Sequence, residues 1–248
     1  MPEARPIRIA AVGDLHIHKT SKGALQPLLS PVNEGADVLL LCGDLTDYGL
    51  PEEAHILAQE LKSAVRIPIV GVLGNHDYES GKEREVRAIL TDVGVELLDG
   101  EATEIHGVGF AGVKGFIGGF DRGTLGACGE AAIKRFVQEA LDEAMKLESA
   151  LARLRTPRRI AILHYSPVRA TVEGEPLEIY PFLGTSRLED PLDRYAVDAV
   201  FHGHAHNGSP QGRTRAGIPV YNVALPLIRK RAGEGIGFRV VEIPPQSA

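Results

Sequence analysis

Five clusters of side chains able to ligate a metal are spread along the 248-residue chain: Asp14 with His16, Asp44, Asn75 with His76, His164, and His204 with His206. Imidazole and carboxylate in combination suit manganese, iron, zinc, cobalt or nickel, and the absence of thiolates among them disfavours a structural zinc site. Asp14/His16 and His204/His206 are pairs of alternate residues, which project to one side of an extended segment, so each pair is expected to face one metal pocket. A carboxylate has two oxygens and can bridge two cations, and two-metal hydrolytic sites hold their ions roughly 3.5–4 Å apart. Asn75 offers a neutral carbonyl oxygen, useful where several charges already surround the ions.

These residues must be positioned by strand ends. Val38-Leu39-Leu40-Leu41-Cys42-Gly43-Asp44 is an apolar run that stops at a glycine and a carboxylate, as expected of a strand buried on both faces. Gly43 permits a sharp turn, and Asp44 then stands at the carboxyl end of the strand, where open α/β sheets bind ligands. Alone, such an Asp is as readily a turn former; repetition of the pattern turns it into a ligand candidate. Strands are expected over 7–12, ahead of Asp14, over 69–73, ahead of Asn75, over 159–163, ahead of His164, and over 199–201, ahead of His202-Gly203-His204-Ala205-His206. Helices are expected over 23–34 (weakened at Pro31), 51–64, 81–92, 131–154 and 188–195. Pro51 suits a first helical turn, and Glu52 and Glu53 favour the positive end of the dipole. The alternation of strand and helix indicates an α/β fold with parallel pairing at its centre.

Short strands are expected over 95–98, 102–105 and 108–113, and closing strands over 218–223 and 238–243. The apolar stripe within 131–154 is core packing. Segments 114–129 and 168–183 are expected to be loops over the site. With no repeat or linker, a single domain is expected across 1–248, ending in a short tail at 244–248.

A hydrophobic content of 44% and a charged content of 24% are those of a soluble globular protein, and a net charge of -6 disfavours a nucleic-acid polymer as partner. No apolar stretch has the length of a signal peptide or membrane span, so no membrane partner and a cytoplasmic location are expected. Two cysteines, Cys42 in a buried strand and Cys128 in a loop or helix start, suggest no disulfide framework.

The ordered set Asp14-Leu15-His16, Gly43-Asp44, Gly74-Asn75-His76-Asp77, His164 and Gly203-His204-Ala205-His206 resembles that of a calcineurin-like metallophosphoesterase over roughly residues 7 to 223. The resemblance implies a four-layer α/β/β/α sandwich of two mixed sheets flanked by helices. It implies that Asp14, His16 and His206 hold one metal, that Asn75, His164 and His204 hold a second, and that Asp44 bridges both. The ions would be two divalent or mixed-valence metals, Mn, Fe or Zn foremost, with Ni or Co as alternatives. His76 would be catalytic, protonating the leaving group or stabilising the phosphate, with Asp77 orienting it through a hydrogen bond. The implied reaction is attack of a metal-activated hydroxide on phosphorus.

Protein Ser/Thr phosphatases of this superfamily carry Asp-Arg-Gly soon after the Gly-Asp motif and end their third motif in Glu. This chain has Asp47-Tyr48-Gly49 and ends that motif in Asp77, and it resembles instead the compact bacterial phosphodiesterases. A small-molecule phosphodiester or phosphomonoester is therefore the expected substrate. The alternative is a catalytically silent metal-binding scaffold of the same fold. Outside the set, His18 is a candidate for contacting the phosphate, His202 is expected to be a strand-end histidine with a backbone partner, and His55 and His106 are expected at the surface. Asp47 is expected to form a turn, and Arg213, Arg215, Arg229, Lys230 and Arg231 to form a solvated face.

Overall fold

Apolar runs that end in turn formers become the inner strands of two sheets in a computed structural model, which describes residues 5–233 and 237–244. The strands in chain order are β1 (Ile7–Val12), β2 (Val38–Cys42), β3 (Ile69–Val72), β4 (Val95–Leu97), β5 (Glu101–Ile105), β6 (Val108–Val113), β7 (Arg158–Leu163), β8 (Ala199–His202), β9 (Gln211–Arg213), β10 (Pro219–Asn222) and β11 (Arg239–Ile243). One sheet has the order β11-β1-β2-β3-β4, with β1 to β4 parallel and β11 antiparallel on its edge. The other has the order β5-β6-β7-β8-β10-β9, with parallel central strands and antiparallel edges.

The period of two along a strand divides the core. Phe110, Ile160, Ile162 and Phe201 face the first sheet and join the large cluster built around Leu39, Leu40 and Leu41. Their neighbours Ala111, Ala161, Leu163 and Val200 face the opposite way and pack with Leu147 and Leu151. Those two leucines belong to helix α5 (Ala131–Arg153), which covers the second sheet beside α6 (Glu189–Arg194). On the first sheet lie α1 (Gln26–Leu29), α2 (Val32–Gly35), α3 (Pro51–Ala64) and α4 (Glu83–Asp92), the last two packed together. The result is the expected four-layer sandwich of two mixed sheets between helices. Every residue of β2 is buried, and each leucine there contributes roughly 1.5–3 kcal/mol by leaving water.

The sheets are joined at the carboxyl ends of their strands. Gly13, just past β1, donates its N–H to the Val223 carbonyl at 2.9 Å and accepts from the Leu225 N–H at 3.0 Å, so the end of the first sheet is tied to the chain leaving β10.

Three expectations need correction. The helix over 23–34 is two short helices, because Pro31 has no N–H to continue the first and the chain restarts at Val32. The loop over 168–183 contains two 3₁₀ segments, Arg169–Thr171 and Leu177–Phe182. Two elements were not foreseen, β9 and the helix α7 (Leu225–Ala232), whose last turn carries Arg229, Lys230 and Arg231 where cations favour the dipole. Of the expected tail at 244–248, all but Pro244 lies outside the described residues. No helix among the described residues is long and apolar enough to cross a membrane.

Candidate metal centre

All the strand ends singled out by sequence converge where the two sheets meet. Asp14, His16 and His206 form one group, and Asp44, His164 and His204 another, with ligand atoms in each group lying within 4.8 Å of one another. Asn75 belongs with the second, its Oδ1 standing 2.9 Å from His164 Nε2. Asp44 lies between the groups, with Oδ1 3.3 Å from His164 Nε2 and Oδ2 3.9 Å from His16 Nε2.

This grouping corrects the expectation drawn from alternate residues. His204 and His206 join different groups, because the backbone is not extended there. Asp14, His16, Asp44 and His204 have φ of 57°, 44°, 49° and 69°. Left-handed backbone is uncommon for residues other than glycine and costs on the order of 1–3 kcal/mol each, and it concentrates at functional sites. Close approach has a second requirement. A Cβ added at Gly74 would lie 2.2 Å from both the Asp44 backbone nitrogen and its Oδ1, and 2.8 Å from the His164 ring, so only glycine lets this turn reach the centre.

Hydrogen bonds fix which imidazole nitrogens are free. His164 Nδ1 is 3.0 Å from the Cys42 carbonyl, which can only accept, so Nδ1 carries the proton and the Nε2 lone pair faces Asp44 and Asn75. His204 Nε2 donates to the Phe182 carbonyl at 3.0 Å, leaving Nδ1 free. Burial holds His164 and His204 neutral, with pKa values pushed down to about 4 and about 3. Neutral imidazole is the ligating form. Burial, with the charges of Asp14 and Asp77 adding to it, pushes Asp44 up to about 7. Burial would raise Asp14 too, but its hydrogen bond from His206 and the surrounding imidazoles outweigh that and hold it at about 2. His206, at 3.0 Å from Asp14 Oδ1, is raised by that bond.

The donor set fits cations on two counts. His16 Nε2 is buried and has no hydrogen-bond partner. Around His164, a nitrogen lone pair, an amide oxygen and a carboxylate oxygen converge on one point. Acceptors brought this close repel one another unless positive charge lies between them.

His76 is a neighbour of the centre. Its backbone N–H donates to Asp44 Oδ1 at 2.9 Å, and its ring stands edge-on to His16 with 4.6 Å between centroids. The expected hydrogen bond between the Asp77 carboxylate and the His76 ring is not formed. The buried Asp77 carboxylate instead accepts from the backbone of Leu45, Thr46 and Gly74 and from the Thr46 hydroxyl, bracing the turn after β2 against the turn after β3. The partner of His76 is Asp47, whose carbonyl accepts from Nδ1 at 2.7 Å. The Asp47 carboxylate also lies 3.3 Å from His16 Nδ1. Asp47 therefore orients two imidazoles and is more than a turn former. Its position three residues after Asp44 was the available signal.

The other histidines fall as follows. His18 is exposed, and its N–H and carbonyl close a turn onto Ser21. His202 is buried between its backbone partner, the Gly203 carbonyl, and the Thr171 hydroxyl, each at 2.8 Å. His55 and His106 are exposed, as expected. Lys114 and Tyr165 were not foreseen. The Lys114 carbonyl accepts from the N–H groups of His164 and Tyr165, and the Tyr165 ring packs 4.5 Å from that of His204.

The model of the calcineurin-like phosphoesterase family matches residues 7–208, and the chain belongs to that family. Among solved structures, the phosphopantetheinyl hydrolase of Mycobacterium tuberculosis is similar with a TM-score of 0.68 at 17% identity, over 99% of each chain. The protein TT1561 of Thermus thermophilus is similar with a TM-score of 0.52 at 17% identity, over 88% of each chain. At such identities the likeness concerns the fold. No curated protein sequence matches the chain.

Proposed function

We propose that this protein is a dinuclear metal-dependent phosphoesterase that hydrolyses a small-molecule phosphodiester or phosphomonoester. Asp14, His16 and His206 would hold one ion, and Asn75, His164 and His204 the other, with Asp44 shared between them. The observation that carries the reading is the convergence beside Asp44 of the His164 Nε2 lone pair and the Asn75 amide oxygen, next to a His16 Nε2 that has no hydrogen-bond partner. Imidazole, carboxylate and amide oxygen suit Mn, Fe or Zn, with Ni or Co as alternatives. When bound, such cations supply a hydroxide nucleophile near neutral pH and neutralise charge on the phosphoryl oxygens.

The remaining steps belong to side chains. His76 donates from Nδ1 to the Asp47 carbonyl, so its Nε2 is the atom available to a substrate. Burial opposes a charge on His76, yet the Asp47 carbonyl and the carboxylates of Asp44 and Asp47 raise its pKa, which suits a donor of a proton to the departing oxygen. A positioned general acid contributes on the order of 10²- to 10⁴-fold. Asp47 sets the tautomer of His16 and His76, and Asp77 holds the two turns that carry Asp44 and Asn75.

Metal analysis on protein prepared without chelator, combined with assays on bis(4-nitrophenyl) phosphate and 4-nitrophenyl phosphate with added Mn, tests the reading. The expected result is two ions per chain and turnover that EDTA abolishes and Mn restores. Two retained ions with no turnover of either ester would favour the scaffold, and absence of both ions and turnover would refute the proposal.

A further inference from the structure

Seven large apolar side chains are exposed among the described residues, and four of them, Leu125, Leu177, Ile179 and Phe182, stand on the two loops beside the candidate metal centre. Of the four, Leu177 lines a cavity between the loops, and exposed apolar surface at a cavity marks a place where something binds. The loops are continuous with the centre. The Phe182 carbonyl accepts from His204 Nε2, and Ala205, between the two ligand candidates, packs with Phe120, Val172, Leu183 and Tyr180 in a small core of its own. Backbone bonds from Gly118 to the Pro181 carbonyl and from Gly119 to the Gly184 carbonyl, both 2.9 Å, clamp one loop to the other.

Between the loops lies a cavity of about 220 Å³ lined by Phe120, Arg169, Leu177, Tyr180 and Pro181. Its single cation, Arg169, lies over the Tyr180 ring at 5.7 Å from the centroid. The cavity is smaller than the ~300–1,000 Å³ of pockets that hold a whole ligand, and suits one substituent of a molecule anchored elsewhere. A phosphoryl group at the metal centre supplies that anchor. The lining then selects the substituent: apolar walls and an aromatic face stacked by a guanidinium accommodate a hydrocarbon or aryl group and offer nothing to a second anion beyond one arginine. An anionic membrane surface is disfavoured by the net charge of -6.

Resting on the phosphoesterase reading, we infer that the cleft between residues 118–123 and 169–182 takes the uncharged, hydrocarbon-rich arm of a phosphodiester. The apolar substituent, and not a second phosphate, sets the selectivity of the enzyme.

The test is a series of 4-nitrophenyl alkyl phosphates, with methyl, butyl and octyl esters assayed in Mn. For the unmodified protein kcat/KM should rise by about two- to fourfold per added methylene until the cavity is filled, following the transfer of methylenes out of water. In a Leu177→Ser variant, whose change is at an exposed position lining the cavity and whose fold is checked by its melting temperature, the octyl-to-methyl ratio should fall at least tenfold. A flat series in the unmodified protein overturns the inference while metal-dependent turnover leaves the phosphoesterase reading intact. A steep series unchanged in the variant overturns the assignment to this cleft. A flat series accompanied by binding to phosphatidylcholine vesicles that the variant loses makes the apolar rim a membrane contact and also overturns it. No turnover of any ester with Mn would strike the phosphoesterase reading itself.

Discussion

The two groups of candidate ligands are held in different ways. Asp44 and His164 are 1% and 0% exposed, and both His164 nitrogens are engaged, one by the Cys42 carbonyl and one by Asn75 and Asp44. This group spans the seam between the sheets and moves only if the seam moves. Asp14 is equally buried, but its partners are not: the side chains of His16 and His206 are 22% and 38% exposed. His204 and Asn75 are themselves only partly buried, so what sets the second group apart is His164, a fully buried imidazole with no counterpart in the first. The difference predicts a structural division of labour, with one ion locked in by packing and one that exchanges and meets the substrate.

The largest expected effect removes what the groups share. Asp44→Asn should reduce kcat/KM by on the order of 10³-fold, as loss of a central electrostatic element does, and metal analysis should show both ions depleted. Full occupancy of both sites in that variant would end the comparison, since neither group would then depend on Asp44. Next come matched deletions. His164→Ala leaves the buried Cys42 carbonyl without its donor, which costs roughly 1–3 kcal/mol, and opens a cavity at a fully buried position. In urea, with chelator present, it should lose more stability than His206→Ala, whose partly exposed ion pair is worth about 1 kcal/mol or less. His206→Ala should regain activity as Mn is raised, whereas His164→Ala should not. Equal destabilisation and equal rescue would show that burial does not distinguish the groups.

How much of this was legible in the sequence follows the same division. The strands bearing ligands were readable because each is an apolar run halted by Gly, Asp, Asn or His, as in Leu39-Leu40-Leu41-Cys42-Gly43-Asp44. Which ligands share a group was not readable from alternation, because that rule holds for extended backbone and His16 and His204 are left-handed. The resemblance implied a grouping of ligands; the structure places Asp14, His16 and His206 in one cluster and Asp44, His164 and His204 in another, and adds a third, His16 with Asp47 and His76, that the resemblance did not include. What the resemblance implied for Asp77 is not formed: its carboxylate accepts from the backbone of Leu45 and Thr46, while Asp47, 29 residues before His76, makes the contact. Only the tertiary approach of the turns decides that exchange. β9 is a three-residue polar edge strand, Gln211–Arg213, with no alternation to detect. α7 did leave a signal, with Pro226 in its first turn and three basic residues in its last, a pattern that reads equally as a solvated cationic face.

A smaller effect sharpens the role of Asp47. Asp47→Ala removes the carboxylate beside His16 Nδ1 and keeps the backbone carbonyl that serves His76. Loss of such an outer partner typically weakens metal affinity by about 10- to 100-fold. The weakening should fall on the exposed group alone, seen as one weakened site in a Mn titration with the other unchanged.

The smallest effect is set by protons, and within the buried group Asp44 and the two imidazoles respond to pH with opposite sign. Without metal, Asp44 has its pKa raised to about 7, so it is protonated over most of the acidic range. Metal must displace that proton, and affinity should tighten by up to about tenfold for each pH unit up to about 7 and then level off. His164 and His204, held at about 4 and about 3, are already deprotonated in that range and add nothing to the slope. His206, raised by Asp14, does add to it on the exposed side. In the metal-free protein the stability contributions oppose one another. That of Asp44 is complete below the ordinary carboxylate value of 3.8 and is lost as pH rises to about 7. Those of His164 and His204 are lost as pH falls from 6.5 toward 4, because the unfolded chain then takes up protons that the fold excludes. Calorimetric titration with Mn in two buffers of different ionisation enthalpy measures the protons released. Release near pH 6 that persists unchanged in Asp44→Asn would show that the displaced proton comes from another group.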